Sequence, residues 1–230
     1  MLPMPRRTAL LLLPLLPLLA ATAAQAANLS VSVNGADGRP AADVVVLATP
    51  TAAWTPQPLP PPALIAQQDI RFTPYVTVLP VGASVRFINR DRFDHHIRSL
   101  PGGPLGSTPP AKNFEFRLAG ARGNTQPSAE VKLDLPGQIV LGCHLHGSMR
   151  GHVVVASTPW TAVTDASGRA TISGIPDGQA ELRLWHPDQL VDQAAQRLQL
   201  AGEVAAQGQL NFTPRRIAPP APRPKGEYEY

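Results

Sequence analysis

The sequence has little of several features that stabilise or anchor other proteins. It contains one cysteine, Cys143, so an internal disulfide bond is excluded. Aromatic residues make up only 5% of the 230 positions, so the core has to be largely aliphatic. No block of Lys and Arg occurs outside the C-terminal tail and the formal net charge is +4, which argues against a nucleic-acid-binding protein. Beyond the N-terminal segment, no apolar run approaches the length of a transmembrane helix.

Proline, in contrast, is abundant, with 27 residues in the chain. Because proline breaks helices and cannot donate in a central strand, it favours short strands, turns and linkers over long helices. Apolar and polar residues alternate with period two in short stretches at 29–33, 76–78, 85–87, 114–118 and 131–135. Two continuous apolar stretches, 139–141 and 153–155, are typical of buried central strands. We therefore expect an all-β chain, built as a β-sandwich of Greek-key type.

The N-terminal segment has the features of a secretory signal peptide. Arg6 and Arg7 precede a Leu-rich run, and Ala24-Gln25-Ala26 fits the cleavage pattern of small residues. We expect residues 1–26 to be removed and the mature protein to be exported to the periplasm, with no remaining membrane segment. Loss of the two arginines would leave 18 basic and 16 acidic residues, a net charge of +2.

The residues that carry chemistry are concentrated in two segments. Five of the six histidines lie between positions 95 and 152, together with the only cysteine. One segment contains His95 and His96, and the other contains Cys143, His146 and Met149 at intervals of three residues. A thiolate, two imidazoles and a distant thioether make up the ligand set of a blue-copper electron-transfer site, since soft sulfur stabilises Cu(I) and imidazole suits both oxidation states.

Other interpretations of Cys143 have less support. A lone cysteine is usually a small buried hydrophobic residue, but in an exported protein a leftover thiol is open to oxidation. Zinc binds a thioether poorly, and no oxyanion motif of a cysteine hydrolase accompanies the thiol. His144 should point away from Cys143, because neighbours on a strand face opposite sides. A second copper site formed by His96, His144 and His152 is a further hypothesis.

The two segments resemble the cupredoxins, the blue-copper protein family. The resemblance covers roughly residues 69–156 and rests on Asn89-Arg90-Asp91 and on the short Cys-x-x-His-x-x-Met loop. It implies a copper ion held by His95, Cys143, His146 and Met149. The residue after the first ligand is often Asn in the family and is His96 here, so both histidines are candidates, and alignment favours His95. The pattern that extends to Trp185-His186-Pro187 resembles cupredoxin-domain proteins of the methylamine-utilisation type.

The segments on both sides of the predicted copper domain together resemble a smaller transthyretin-like or carboxypeptidase-regulatory β-sandwich. We predict that residues 27–63 form its first hairpin and a proline-rich connector and residues 157–213 the remainder, so that the cupredoxin domain at 64–156 is inserted into a loop. Two alternatives are one continuous larger sandwich and an N-terminal hairpin that belongs to the copper domain itself. Residues 214–230, with five prolines, are predicted to be a disordered tail.

The ligand set and the resemblance together predict a periplasmic type 1 copper protein that transfers electrons. We expect no enzymatic activity, because protein ligands would fill every coordination position. We expect a monomer whose redox partner, another protein, approaches the edge of His146 over a small apolar surface of Leu100, Leu145 and Gly147. Two alternatives stay open: a copper chaperone or storage protein with an exchangeable site, and a non-redox binding module on the same scaffold.

Overall fold

The computed structural model describes residues 26–215, and this part of the chain is all-β, as predicted. Nearly all of the predicted signal peptide (1–25) and most of the predicted tail (216–230) lie outside the described residues. The strands are β1 (Ala26–Asn34), β2 (Val45–Pro50), β3 (Ala63–Gln68), β4 (Arg71–Thr73), β5 (Val76–Pro80), β6 (Ser84–Asn89), β7 (His95–Leu100), β8 (Glu115–Leu118), β9 (Ser128–Lys132), β10 (Gly137–Cys143), β11 (Arg150–Ala156), β12 (Thr161–Val163), β13 (Arg169–Pro176), β14 (Gly178–Trp185), β15 (Gln196–Leu200) and β16 (Glu203–Gln209). Within the same residues, the only helical segment is a 3₁₀ turn at Pro104–Gly106, and no helix is long and apolar enough to cross a membrane.

Seven strands from the two ends of the described chain form one pair of sheets. The first sheet has the strand order β13-β1-β16, and the second has the order β12-β2-β14-β15. Alternate residues of β1, from Ala27 to Val33, are at most 1% exposed and face a core that also contains Trp160 and Leu182. The period-two pattern of this segment therefore places one face of β1 in the core of the sandwich.

The predicted hairpin within residues 27–63 is wrong. Strand β1 pairs with β13 and β16, whereas β2 pairs with β12 and β14, so the two strands lie in different sheets. The turn residues between them carry the chain across the sandwich, because Val31 and Val46 face the same core from its opposite sides. Both strands find their partners after Trp160, late in the chain.

The nine consecutive strands β3 to β11 form a second pair of sheets. Their orders are β4-β3-β6-β9 and β5-β11-β10-β7-β8, which confirms the predicted β-sandwich. The continuous apolar strands β10 and β11 lie in the interior of the five-stranded sheet, each with a neighbouring strand on both sides. Phe87, Ile97 and Leu141 are each at most 1% exposed in the core of this pair, and Cys143 and Met149 belong to the same buried cluster.

A small buried cluster joins the two pairs of sheets. Val45 and Trp185 come from the first pair, and Val76 and Val154 come from the second. Burial of side chains of this size stabilises a fold by roughly 1.5–3 kcal/mol each. Apolar packing, and not only the connecting chain, therefore holds the two pairs of sheets together. Where one domain ends and the next begins stays a prediction.

Candidate metal centre

Three of the predicted ligands lie together at one edge of the second sandwich. The Sγ atom of Cys143 is 3.6 Å from Nδ1 of His95 and 3.4 Å from Nδ1 of His146. Within residues 26–215, this is the only group of three or more His, Cys, Asp or Glu residues whose ligand atoms all lie within 4.8 Å of one another. His95 and Cys143 are buried and His146 is half-buried, so the cluster lies just below the surface.

Two neighbouring antiparallel strands and one short loop position these side chains. His95 is the first residue of β7, and Cys143, the last residue of β10, lies opposite Ile97 of β7. The loop between β10 and β11 supplies His146, and it is closed by the N–H of Met149, which donates to the His146 carbonyl over 2.9 Å. The folded sheet therefore brings the thiol and the two imidazoles together.

A buried carboxylate orients the His95 ring. Nε2 of His95 lies 2.8 Å from Oδ2 of Asp91, and the two oxygens of Asp91 also accept the backbone N–H groups of Asp69 and Ile70. An imidazole that is held by a carboxylate on one nitrogen presents its other nitrogen in a fixed direction. Here the other nitrogen, Nδ1, faces Cys143.

Asn89 holds the loop that carries Asp91. Its side-chain amide donates to the carbonyls of Phe93 and Ala119, at 2.8 Å each, and its Oδ1 accepts the N–H of Asp91. Asn89 is completely buried, so these bonds satisfy polar groups that would otherwise destabilise the core. The motif Asn89-Arg90-Asp91 thus has a structural explanation: Asn89 fixes the loop, and Asp91 fixes the ring of His95.

The environment favours the thiolate form of Cys143. Burial would raise the pKa of the thiol, but hydrogen bonds outweigh burial and lower the pKa to about 6. The donors are the His95 ring, the backbone N–H of His96, the His146 ring and the backbone N–H of Leu145. A thiolate is the form of cysteine that binds metal ions, so Cys143 is available as a ligand at neutral pH.

The surroundings of His95 favour the protonated form of its ring at neutral pH. Burial would lower the pKa of its ring, but hydrogen bonds with Asp91 and Cys143 outweigh burial and raise the pKa to about 9. Burial likewise opposes ionisation of Asp91, but the hydrogen bond from His95 and the backbone N–H groups hold the pKa of this carboxyl below its usual range. A metal ion held at Nδ1 of His95 would take the place of a proton at that atom.

Met149 lies in the same buried cluster as Cys143 and is 1% exposed. Its position in the closed loop after His146 keeps the thioether within the core of the second sandwich. A buried, flexible thioether at this position is suited both to filling space in the core and to weak binding of a metal ion. Its assignment as the fourth ligand stays a prediction.

His96, His144 and His152 lie outside the cluster of His95, Cys143 and His146. His96 points away from Cys143 and pairs with Glu115 through Nε2 at 2.9 Å, which assigns the inward position to His95. His144 is exposed and its ring lies 5.6 Å from that of His96. His152 contacts Tyr75 and Trp185 between the two sandwiches, so the hypothesis of one site from His96, His144 and His152 is wrong.

Sequence reasoning did not identify two neighbours of the cluster. Phe93 packs against the rings of both His95 and His146, with ring centroids 5.3 Å apart in each case. Asp91 was noted only as part of a motif, although a carboxylate four residues before a candidate ligand is a signal for an orienting partner. Leu145 is 48% exposed beside His146, while Leu100 is half-buried.

The donor set suits copper, as predicted. One thiolate and two imidazoles combine the soft and intermediate ligands that bind both Cu(I) and Cu(II). The distances of 3.4 and 3.6 Å from the sulfur to the two nitrogens leave room for an ion between the three atoms. His95, Cys143 and His146 would hold the ion.

Comparison with known proteins gives matches only among solved structures. No family model matches the chain, and no curated protein matches it. A Cu-containing nitrite reductase (NirK) from Thermus scotoductus SA-01 is 23% identical with a TM-score of 0.35, over 47% of this chain and 25% of that chain. A mutant of amicyanin in the Cu(I) form is 21% identical with a TM-score of 0.30, over 41% of this chain and 82% of that chain. An oxidized mutant of amicyanin is 24% identical, with the same TM-score and the same coverage. Because this chain spans only a quarter of the nitrite reductase chain, the activity of that enzyme is not carried over.

Proposed function

We propose that this protein is a periplasmic electron carrier with a type 1 copper site. The observation that carries the proposal is the thiolate of Cys143 held between Nδ1 of His95 and Nδ1 of His146 by the folded sheet. A copper ion bound there would supply one-electron Cu(I)/Cu(II) chemistry. The methionine of the same loop, Met149, would be the weak axial ligand.

The rigidity of the cluster supports electron transfer. His95 is fixed by Asp91, Cys143 accepts two backbone N–H groups, and the loop of His146 is closed by a backbone hydrogen bond. Ligands that are held in one place do not have to move when the charge of the centre changes, which favours fast transfer. The half-buried ring of His146 is the part of the cluster closest to the surface, so we assign the exit of the electron to it.

The same geometry supports a carrier rather than an enzyme. If Met149 is the fourth ligand, the protein fills all coordination positions and leaves none for a substrate. A redox partner protein would meet the monomer at the ring of His146, next to the exposed side chain of Leu145. Small and partly apolar contacts of this kind are typical of short-lived redox encounters.

Export to the periplasm rests on the sequence. Residues 1–26 have the charged, apolar and small-residue regions of a signal peptide. In an oxidising compartment a lone reactive thiolate is open to oxidation, and a bound metal would protect it. N-terminal sequencing of the exported protein should therefore begin after Ala26.

The proposal is tested by the spectra of the mature protein after addition of one equivalent of Cu(II). We expect the intense visible absorption of a Cu(II)–thiolate bond and the narrow copper splitting in EPR that accompanies it. Cys143→Ser should abolish both, whereas His144→Ala, which changes the exposed neighbour, should keep them. A colourless copper-loaded protein would refute the proposal. Rapid exchange of the metal with a chelator, combined with slow redox cycling, would favour a chaperone instead.

A further inference from the structure

Two histidines adjacent in sequence to the predicted ligands face the outer surface of the five-stranded sheet. His96 follows His95 on β7, and His144 follows Cys143 after the end of β10. Successive residues of a strand point to opposite faces, so the buried pair and the outer pair lie back to back. His144 is exposed, and the side chain of His96 is 30% exposed.

The outer pair is organised by the backbone. The N–H of His144 donates to the carbonyl of His96 over 2.9 Å, which makes the two residues cross-strand neighbours. Their ring centroids are 5.6 Å apart with an angle of 56° between the planes. Glu115, on the adjacent strand β8, places Oε1 2.9 Å from Nε2 of His96. The end of β10 and the neighbouring strands β7 and β8 therefore bring two imidazoles and one carboxylate close together.

We propose that His96 and His144 form a second, surface metal site for a divalent ion such as Zn²⁺ or Cu²⁺. Imidazole nitrogen is a ligand that both ions prefer, and water would complete the coordination shell. Oε1 of Glu115 lies 2.9 Å from Nε2 of His96, so Nδ1 is the nitrogen of this ring that would bind the ion. This is the arrangement of a ligating histidine whose other nitrogen is held by a carboxylate.

The outer site differs from the buried cluster in its chemistry. It has no thiolate and is open to solvent, so it favours divalent ions over Cu(I). The exposed ring of His144 has to turn about its side-chain bonds to bring one of its nitrogens onto an ion at Nδ1 of His96, a motion that exposed side chains make within nanoseconds. The site does not depend on the proposed function, because neither ring contributes to the buried cluster.

The site is tested with Zn²⁺ and the full mature chain carrying Cys143→Ser, which removes the buried thiolate. Long-range ¹H–¹⁵N NMR spectra resolve the rings of the six histidines one by one. We expect the signals of His96 and His144 to shift together as Zn²⁺ is added, with one common dissociation constant. The reduced wild-type chain should show the same joint shift, so the test stands even if Cys143→Ser does not fold.

Two variants separate a chelate from single histidines. In His144→Ala, the affinity of His96 for Zn²⁺ should fall by more than about tenfold. A tenfold loss is what removal of a residue that only positions a ligand would cause. Glu115→Gln should weaken binding by about tenfold, because Glu115 positions the ring of His96. Glu130→Gln removes the same charge from an exposed strand of the other sheet and should leave the affinity unchanged. Independent shifts of His96 and His144, or an unchanged affinity in His144→Ala, would overturn the proposal.

Discussion

The carboxylate of Asp91 lies 2.8 Å from Nε2 of His95 and determines that Nδ1 of this ring faces Cys143. The same carboxylate accepts the N–H groups of Asp69 and Ile70, so it connects the turn after β3 to the candidate metal centre. Ring orientation and local backbone structure therefore depend on one buried side chain. The two effects can be measured separately.

We expect Asp91→Asn to weaken both metal binding and the fold. An amide cannot accept from the ring and from both backbone N–H groups at once, so at least one buried donor loses its partner. The affinity for copper should fall by roughly 10–100-fold, and the free energy of unfolding should fall by about 1–3 kcal/mol. Competition with a copper chelator and unfolding in urea measure the two quantities.

Asp94→Asn is the matched control for this change. Asp94 pairs with the exposed Arg117 and accepts the N–H of Gly120, but it makes no hydrogen bond to His95. Its replacement should leave the copper affinity within about twofold of the wild-type value, because an exposed ion pair contributes little. Equal losses of affinity in the two variants would show that Asp91 does not act through the ring.

The strands could be predicted from the sequence better than their partners could. Alternation places apolar residues on one face of each strand, and short apolar patterns identified β1, β5, β6 and β8 to β11. Strand β7, which begins at His95, was not predicted. Pairing is not local: the turn after β1 is typical of a hairpin, but β1 and β2 have their partners late in the chain. The contact of His152 with Trp185 between the sandwiches depends on the same long-range packing, so it could not be predicted from the sequence either.

The cluster itself could be predicted because ligand chemistry restricts the candidates. One cysteine and few histidines leave few combinations, and His95, Cys143 and His146 do lie together. Alignment favoured His95 over His96, and the direction of the side chains agrees, since His95 faces Cys143 and His96 faces Glu115. The thioether assignment still requires an experiment.

Replacement of Met149 tests whether its thioether is the axial ligand. Met149→Leu conserves volume, so the metal-free protein should lose less than about 1.5 kcal/mol of stability. Loss of a donor to Cu(II) should raise the reduction potential, while Met149→Gln, which offers an oxygen donor, should lower it. Voltammetry of the copper-loaded variants gives the potentials. Potentials that match the wild-type value in both variants would leave Met149 as a packing residue only.

Gly120 packs against the backbone of Arg92 and Phe93, in the loop that precedes His95. A Cβ atom at this position would lie 2.1 Å from the carbonyl oxygen of Arg92 and 2.8 Å from the backbone nitrogen of Phe93. Gly120→Ala therefore forces this backbone to shift, and we expect a loss of about 1–3 kcal/mol in the free energy of unfolding. At Gly147, in the ligand loop, a Cβ meets nothing within 4 Å, so Gly147→Ala should change stability by less than about 0.5 kcal/mol. Urea unfolding of the metal-free variants compares the two, and similar losses would contradict this account of the loop.

His152 makes the stability of the protein depend on pH. Burial between the two sandwiches, assisted by the nearby His186, lowers the pKa of His152 from 6.5 to about 4. The folded state therefore keeps the ring neutral, with Nε2 3.2 Å from the hydroxyl of Tyr75, whereas the unfolded chain takes up a proton near pH 6.5. The contribution of His152 to stability is complete above pH 6.5 and is lost as the pH falls from 6.5 to 4, by on the order of 3 kcal/mol.

The dependence is measured as a difference between variants, so that other titrating groups cancel. Urea unfolding of metal-free wild type and His152→Gln should show the advantage of the wild type shrinking steadily from pH 6.5 to 4, because glutamine takes up no proton. Tyr75→Phe removes the hydroxyl partner but keeps the buried imidazole, so its pH dependence should follow that of the wild type. A difference in stability between wild type and His152→Gln that stays constant over this range would contradict the prediction. It would mean that the ring of His152 takes up protons in the folded state. The two sandwiches would then be packed less tightly around Trp185 than the contacts indicate.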